Sequence, residues 1–219
     1  MFVYRMPTAV LMVILTFCGA AAAQQQAPCI ARNGESAYTI LLAPDASPSE
    51  EYAAEELQHW LKACTGAELP VTRDETGGGP FIVLGAGPAA AKRGVAPTAQ
   101  ELGEQGYLMR TAGADLVIAG TAAAGTLYGA YDFLRDHAGV RWHAPGVTQT
   151  PQHERLPLPE VDRLKRPPFR WRHISYAWPG RDAAFLARMR DNNGDGDAEN
   201  RYGLEISHDG RCHTYHRFI

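Results

Sequence analysis

The chain has 219 residues, with 21 lysines and arginines against 24 aspartates and glutamates, and therefore a net charge of −3. This weak charge argues against a nucleic-acid-binding protein and against one held on an anionic membrane surface. The charge is unevenly placed. Residues 24–150 carry eight basic and fourteen acidic side chains (net −6), and residues 151–219 carry twelve basic and ten acidic side chains (net +2). The shift predicts a structural boundary near residue 150.

The N-terminus has the pattern of a secretory signal. Arg5 precedes the apolar run "TAVLMVILTFCGA", which is shorter than the roughly 20 residues of a membrane-spanning helix. Small alanines precede Gln24, so we predict a cleaved signal peptide over Met1–Ala23. The mature protein is then secreted or periplasmic and has no membrane span. A lipoprotein signal at Cys18 fits less well, because bulky Phe17 precedes this cysteine.

Removal of the signal leaves three cysteines, Cys29, Cys64 and Cys212. An odd number cannot form a closed disulfide framework, and the sequence leaves the pairing open. Cys64 falls on the apolar face of a predicted helix, where a cysteine is typically a small buried hydrophobe.

The first predicted elements are a strand over Tyr38–Leu42 and a long helix that begins after Ser47. Ser47 can cap this helix, with Pro48 at its first position and Glu50 completing a capping box. The following apolar residues recur at helical spacing, and Gly66 suits the left-handed position that ends a helix.

The next segments predict a short buried strand, "PFIVLGAG", and a helical turn, "PAAAKRGV". Gly85 and Gly87 form half of a dinucleotide-binding fingerprint, but Pro88 interrupts the pattern, which favours a plain turn. "GYLMRT" and "DLVIAG" then predict a β-hairpin across Ala112–Ala114.

The stretch "GTLYGAYDFLRDHAGVRWHAPG", residues 125–146, predicts an amphipathic helix that ends at Gly139 and a strand "VRWH" after it. Gly125 and Gly129 lie on one face of this helix, which predicts a close approach to a neighbouring element. The order of elements predicts the α/β class, an α+β sandwich with a small mixed sheet and two long helices on it. We assign residues 24–150 to this accessory domain.

The remainder of the chain changes in character. Residues 151–166 are rich in proline and predict an extended linker. Residues 167–219 open with the predicted strand "FRWRHISYAW", followed by a short helix "RDAAFLARMR". The chain stops within a further strand-like run, "CHTYHRFI", so we expect an incomplete second domain.

Two clusters have the residue types of metal sites. Asp191, Asn193, Asp195 and Asp197 fall at the spacing of a calcium loop, but Tyr202 occupies the position of its bidentate glutamate. A solvated acidic loop is the competing interpretation. His208, Cys212, His213 and His216 match no zinc spacing, and no other cofactor is indicated.

The segments from "YAAEELQHWLKACTGAELPV" to "GTLYGAYDFLRDHAGVRWHAPG" resemble the N-terminal domain of bacterial α-glucuronidases and the second domain of β-N-acetylhexosaminidases. They are most similar to secreted proteins related to glycoside hydrolase family 163, whose known members are endo-β-N-acetylglucosaminidases. The resemblance implies that a (β/α)₈ barrel follows the small domain and carries the active site. Residues 167–219 would be the truncated start of that barrel.

The resemblance also implies candidate substrate-binding residues. "PPFRWR" is similar to the entry into the first barrel strand of hexosaminidases, which assigns a sugar contact to Arg172. Those enzymes have glycine at the next position, where this chain has His173. "HTYHRF" is similar to a later landmark of the family-163-related group and adds His213. The family's catalytic carboxylates would lie beyond Ile219, so no catalytic residue is assigned.

Two functions remain open on this basis. The first is the N-terminal fragment of a secreted glycoside hydrolase that acts on an oligosaccharide or polysaccharide, inactive on its own. The second is a stand-alone secreted carbohydrate-binding module without catalysis. The oligomeric state is left open.

Overall fold

The structure is a computed structural model, and it describes residues 28–120, 122–174, 182–193 and 201–203. Ten strands and five helices occur in these ranges. The strands are β1 (Cys29–Arg32), β2 (Thr39–Leu42), β3 (Val71–Thr72), β4 (Phe81–Leu84), β5 (Tyr107–Ala112), β6 (Asp115–Gly120), β7 (Arg141–Ala144), β8 (Val147–Gln149), β9 (Arg155–Pro157) and β10 (Asp162–Lys165). The helices are α1 (Pro48–Thr65), α2 (Pro88–Lys92), α3 (Ala99–Leu102), α4 (Ala122–Asp136) and α5 (Ala183–Arg188).

A mixed sheet of six strands, in the order β10-β5-β6-β4-β2-β3, is the centre of the fold. Strands β3, β2, β4 and β6 run parallel to one another, whereas β5 is antiparallel to both β6 and β10. The β5–β6 pair is the predicted hairpin, with Ala112 opposite Asp115 at its turn. The structure therefore confirms the predicted α/β class and the mixed sheet.

Helix α1 forms where the sequence predicts it, because both of its ends are capped. The Ser47 hydroxyl accepts from the Glu50 amide, and the Glu50 carboxylate accepts from the Ser47 amide. Gly66 ends the helix with a φ of 75°, and its amide donates to the Lys62 carbonyl. These contacts satisfy backbone groups that a helix end otherwise leaves unpaired.

The two faces of the sheet bury different elements, because neighbouring strand residues alternate between the faces. Ile40, Ile82 and Ile118 pack with α1 and α4 in the larger core cluster. Leu41 and Val83 face the other way and pack with the short helices α2 and α3. The two long helices predicted to pack on the sheet thus lie together on one of its faces.

Helix α4 approaches the sheet closely at its two glycines. A Cβ on Gly125 would lie 2.3 Å from the Gly106 carbonyl oxygen, and one on Gly129 would lie 2.4 Å from Cγ2 of Ile118. Contacts this short leave no room for a side chain. The close approach predicted from the glycine spacing is confirmed, and the neighbours are β6 and the start of β5.

The predicted linker contains two strands that the sequence pattern did not show. Within residues 151–166, β9 pairs with β1, and β10 extends the edge of the main sheet by pairing with β5. Strands of three or four residues show too little alternation to be recognised, and these two are fixed by partners distant in sequence. Strands β1 and β3 were missed for the same reason. Strand β8, which pairs with the adjacent β7, and helix α3, which has a capping box at Thr98 and Glu101, were also not predicted, because each spans only three or four residues.

Part of the predicted second domain can be compared with the structure. Helix α5 confirms the predicted short helix. Residues 169–174 of the predicted strand are not in a regular strand, and the Asn192 amide donates to the Arg172 carbonyl at 3.1 Å. The predicted strand "CHTYHRFI" and the signal peptide lie outside the described residues, and the barrel remains a prediction. In the ranges that the structure covers, no helix is both long and apolar enough to cross a membrane.

Candidate functional site

Arg172, the sequence-predicted sugar contact, lies where residues 169–174 meet the α/β domain. Its Nη2 donates to Gln105 Oε1 at 2.7 Å and to the Tyr128 hydroxyl at 3.2 Å. Its guanidinium carbon also lies 5.5 Å from the centre of the Tyr128 ring. Arg172 thereby connects the C-terminal segment to helix α4.

The other donors of Arg172 are directed at backbone carbonyls. Nε donates to Arg190 at 2.8 Å, and Nη1 donates to Phe169 at 2.6 Å. Four of the five guanidinium N–H groups that an arginine carries are therefore used within the protein. The contacts position Arg172 rigidly, and its predicted sugar contact stays a prediction.

His173 lies against Asp191, with Nδ1 3.4 Å from Oδ2, and its side chain is 30% exposed. The His173 ring also stacks on Trp171 at a centroid distance of 5.8 Å. Arg172 and His173 are neighbours in the structure, whereas His213, the third predicted substrate contact, lies outside the described residues.

Asp191 and Asn193, two of the four predicted calcium ligands, make protein contacts. The Asp191 carboxylate is buried and accepts from the amides of Ile174 at 2.5 Å and Asn193 at 2.9 Å. Asn193 accepts from the Trp171 indole at 3.2 Å. Asp195 and Asp197 are not described. Within the described ranges no three acidic, histidine or cysteine side chains cluster as a metal site, and the calcium loop remains a prediction.

A row of arginines, which the sequence pattern did not indicate as a site, joins the C-terminal segment to the long helices. Arg188 of α5 donates to Glu56 of α1 through Nε at 2.9 Å and Nη2 at 2.8 Å. Arg201 contacts Glu55 and lies 4.4 Å from the centre of the Tyr52 ring. The excess of basic residues after residue 150 was the only sequence signal of this interface.

Asp132 of α4 is the most enclosed acid of this interface, with a fully buried side chain. It accepts from Lys165 Nζ at 2.6 Å and Arg135 Nη2 at 3.0 Å, and it also contacts Arg190 and the Tyr107 hydroxyl. Three cations and a hydroxyl thus compensate the cost of burying one carboxylate.

The tyrosines near these charges are held in the neutral form. Burial raises the pKa of Tyr107 to about 12, against the partly opposing effect of Arg190. Burial also raises the pKa of Tyr128, although Arg172 acts to lower it. Neither phenol is poised to exchange a proton near neutral pH, which indicates a structural role.

The two described cysteines, Cys29 and Cys64, are both free thiols. Burial raises the pKa of the Cys64 thiol, so it is the small buried hydrophobe that the helical pattern predicted.

Residues 27–133 match the model of the glycosyl hydrolase family 67 N-terminus. This segment is similar to the N-terminal domain of α-glucuronidases, and we refer to it as the N-terminal-type domain. The match includes β1 to β6, α1 and most of α4, and therefore all three of the acids in this segment that pair with the arginines, Glu55, Glu56 and Asp132. The likeness to α-glucuronidases that the sequence suggested is confirmed, and the more specific likeness to family 163 stays a prediction.

One solved structure is similar in fold to this chain, and a second gives a weaker match. The family GH115 4-O-methyl-α-glucuronidase BtGH115A, described as specific for decorated arabinogalactans, superposes with a TM-score of 0.51 and 19% identity over 61% of this chain. A mutant β-hexosaminidase of Streptomyces plicatus, in complex with GlcNAc, gives a TM-score of 0.44 and 22% identity over 67% of this chain. This chain covers only 18% and 24% of those two proteins. No curated protein matches the sequence significantly.

Proposed function

We propose that this chain is the N-terminal part of a secreted glycoside hydrolase, and that its N-terminal-type domain is a non-catalytic scaffold. The match of residues 27–133 to the family 67 N-terminus carries the proposal. The substrate is an oligosaccharide or polysaccharide, and the catalytic domain begins within residues 167–219.

The chemistry of the buried acids supports a scaffold role. Hydrolysis of a glycosidic bond ordinarily requires two carboxylates on either side of the scissile bond. Glu56 is held by a bidentate arginine, Asp132 by three cations, and Asp191 by backbone amides. Each of these carboxylates is engaged in contacts that stabilise the protein. We therefore place the two catalytic carboxylates elsewhere in the parent enzyme.

The arginine interface supports a fixed connection between scaffold and catalytic domain. Arg188 and Arg190 follow the predicted start of the barrel, and both contact buried acids of the long helices. Buried ion pairs require accurate geometry to offset desolvation. This interface therefore holds the first part of the catalytic domain in one orientation on the scaffold.

Two enzyme classes are candidates for the parent enzyme. An α-glucuronidase agrees with the family 67 match, and an endo-β-N-acetylglucosaminidase agrees with the similarity of the sequence to family-163-related proteins. The two are separated by substrate, since one releases a uronic acid from a branched polysaccharide and the other cleaves within an N-glycan.

The decisive experiment is to extend the gene and assay both products. We expect the reading frame to continue past Ile219 into a barrel with paired carboxylates. The extended protein should hydrolyse 4-O-methylglucuronoxylan or an N-glycan, and the 219-residue chain should hydrolyse neither. A stop codon directly after Ile219 in the native gene, or hydrolysis by the short chain, would overturn the proposal.

Secretion has its own test. N-terminal sequencing of the exported protein should begin at Gln24, because Ala21 and Ala23 are small residues of the kind that signal peptidase reads. Retention of Met1 in the exported protein would contradict a cleaved signal.

A further inference from the structure

A cleft of about 240 Å³ lies beside the arginine interface but uses none of its ion pairs. One wall is the turn after α3, with Gly103, Glu104 and Gln105, and the other is the segment with Arg166, Phe169 and Arg170. Arg172 does not line the cleft but contacts two residues that do, Gln105 and Phe169. No described residue of the predicted calcium loop lines it.

Arg166 brings an uncompensated positive charge to this cleft. Within the part of the chain that the structure describes, Arg166 forms no ion pair, whereas Arg170 pairs with Glu104 at 2.8 Å. The side chain of Arg166 lies over the turn, with Nη2 3.3 Å from the position that a Cβ on Gly103 would occupy. An arginine fork binds a carboxylate through two parallel hydrogen bonds, so a ligand with a carboxylate fits this charge.

Phe169 supplies an apolar surface next to that charge. It is 70% exposed, the largest exposed fraction among the exposed large hydrophobic residues of the described chain. An aromatic ring presents a flat face on which the C–H groups of a saturated ring can pack. The cleft thus favours a ring compound with a carboxylate over a simple anion.

Gln105 adds a polar group that is already oriented. Its Oε1 accepts from Arg172 at 2.7 Å and from Asn192 at 3.0 Å. These contacts fix the orientation of an amide that is 6% exposed, and Nε2 is the group of this amide that can donate to a ligand hydroxyl. An amide donor, an unpaired guanidinium and an aromatic face together match a hydroxylated ring acid.

The size of the cleft limits the ligand to about one ring. A volume of about 240 Å³ is below the roughly 300–1,000 Å³ of pockets for drug-sized ligands. We infer that the cleft is a non-catalytic subsite for a single sugar acid unit of a polysaccharide. The inference rests on the proposed function for its carbohydrate ligand, and its residues are separate from any catalytic carboxylate.

The test measures the binding of small ligands to the complete 219-residue chain, with NMR or calorimetry as the detection method. D-glucuronate is the probe, with D-glucose and acetate as the ring-only and anion-only comparisons. We expect glucuronate to bind at least about tenfold more tightly than either, since glucuronate alone offers both a carboxylate for a charge-assisted hydrogen bond to Arg166 and a saturated ring for the face of Phe169. D-glucose has no carboxylate for Arg166, and acetate has no ring for Phe169.

Two variants and two controls connect binding to the cleft. Arg166→Gln and Phe169→Ala should each weaken glucuronate binding about tenfold or more. Arg73→Gln and Val147→Ala alter an exposed arginine and an exposed apolar residue that do not line the cleft and should leave binding unchanged. Equal melting temperatures for all four variants would show that the fold is intact.

The remaining outcomes overturn the inference in distinct ways. Equal binding of acetate means a simple anion site, and equal binding of glucose means that the charge is not used. Unchanged glucuronate binding by Arg166→Gln places any sugar site elsewhere. None of these outcomes bears on the gene-extension experiment, so the proposed glycoside hydrolase can stand while the subsite fails.

Discussion

Arg188 on α5 and Glu56 on α1 form a bidentate ion pair across 132 residues of sequence, at 2.9 Å and 2.8 Å. Their side chains are only 18% and 7% exposed. The guanidinium carbon of Arg188 also lies 5.2 Å from the centre of the Trp60 ring, and the Trp60 indole donates to the same carboxylate at 3.1 Å. One arginine therefore fixes the C-terminal segment to the scaffold by charge and by packing.

Removing one member of this ion pair should destabilise the folded protein. Arg188→Met leaves the buried Glu56 carboxylate without its cation, and we expect a loss of about 3–5 kcal/mol in unfolding free energy. Denaturant unfolding measures this loss. Lys62→Met is the control, because the Lys62–Glu68 pair is 57% and 64% exposed and should contribute under about 1 kcal/mol. Equal effects from the two variants would contradict a structural role for the buried pair.

The close approach of α4 to the sheet predicts which of two glycine substitutions destabilises the protein more. At Gly125 an added methyl group would meet the Gly106 carbonyl, which is backbone and cannot rotate away. At Gly129 it would meet the Ile118 side chain, which can adjust. We therefore expect Gly125→Ala to destabilise by more than Gly129→Ala, each by about 1–3 kcal/mol before the gain in helix propensity.

Two further substitutions complete this glycine series. Gly129→Leu should destabilise more than Gly129→Ala, since it places a whole side chain against the Tyr107 ring. Gly77 has no atom within 4 Å of an added Cβ, so Gly77→Ala should leave the melting temperature unchanged. An unchanged melting temperature for Gly129→Leu would show that the approach is not tight.

The capping box of α1 provides a third prediction. Ser47→Ala removes the acceptor for the Glu50 amide, which lies 3.3 Å away. We expect a loss of about 1 kcal/mol, or a decrease of roughly 2–4 °C in melting temperature for a domain of this size. Ser47→Asp keeps an acceptor near the helix N-terminus and should retain the stability, which separates capping from packing.

His137 makes stability depend on pH. Burial lowers its pKa below the usual 6.5, and its Nε2 has no hydrogen-bond partner in the described structure. The unfolded chain therefore binds the proton more readily than the folded one, and stability rises with pH in this window. The stabilising contribution of neutral His137 is fully present above about pH 6.5, the usual pKa that applies to the unfolded chain. It is lost as the pH falls through the lower pKa that His137 has in the folded chain.

Denaturant unfolding at pH 7.5 and pH 5.5 measures this dependence. We expect the folded chain to be less stable at the lower pH, and His137→Gln should reduce the difference. His143→Gln is the matched control, since the His143 side chain is exposed at the protein surface. A difference that persists in full in His137→Gln would assign the pH effect to other groups.

The sequence by itself determined the elements whose signals are local. Ser47, Pro48, Glu50 and Gly66 specify the ends of α1 through contacts within a few residues. The glycine spacing in α4 predicted a close approach, because residues four apart share a helix face. The same local patterns were sufficient to recognise the likeness to the N-terminal domain of α-glucuronidases.

Only the tertiary structure decided how the two parts of the chain meet. Arg188 and Arg190 are surface-like residues in the sequence, and nothing near them indicates that Glu56 and Asp132 are their partners. The charge shift near residue 150 predicted a boundary but not that basic side chains after it neutralise acids before it. An ion pair depends on the three-dimensional position of both groups, whereas a cap or a helical face depends on spacing along one segment.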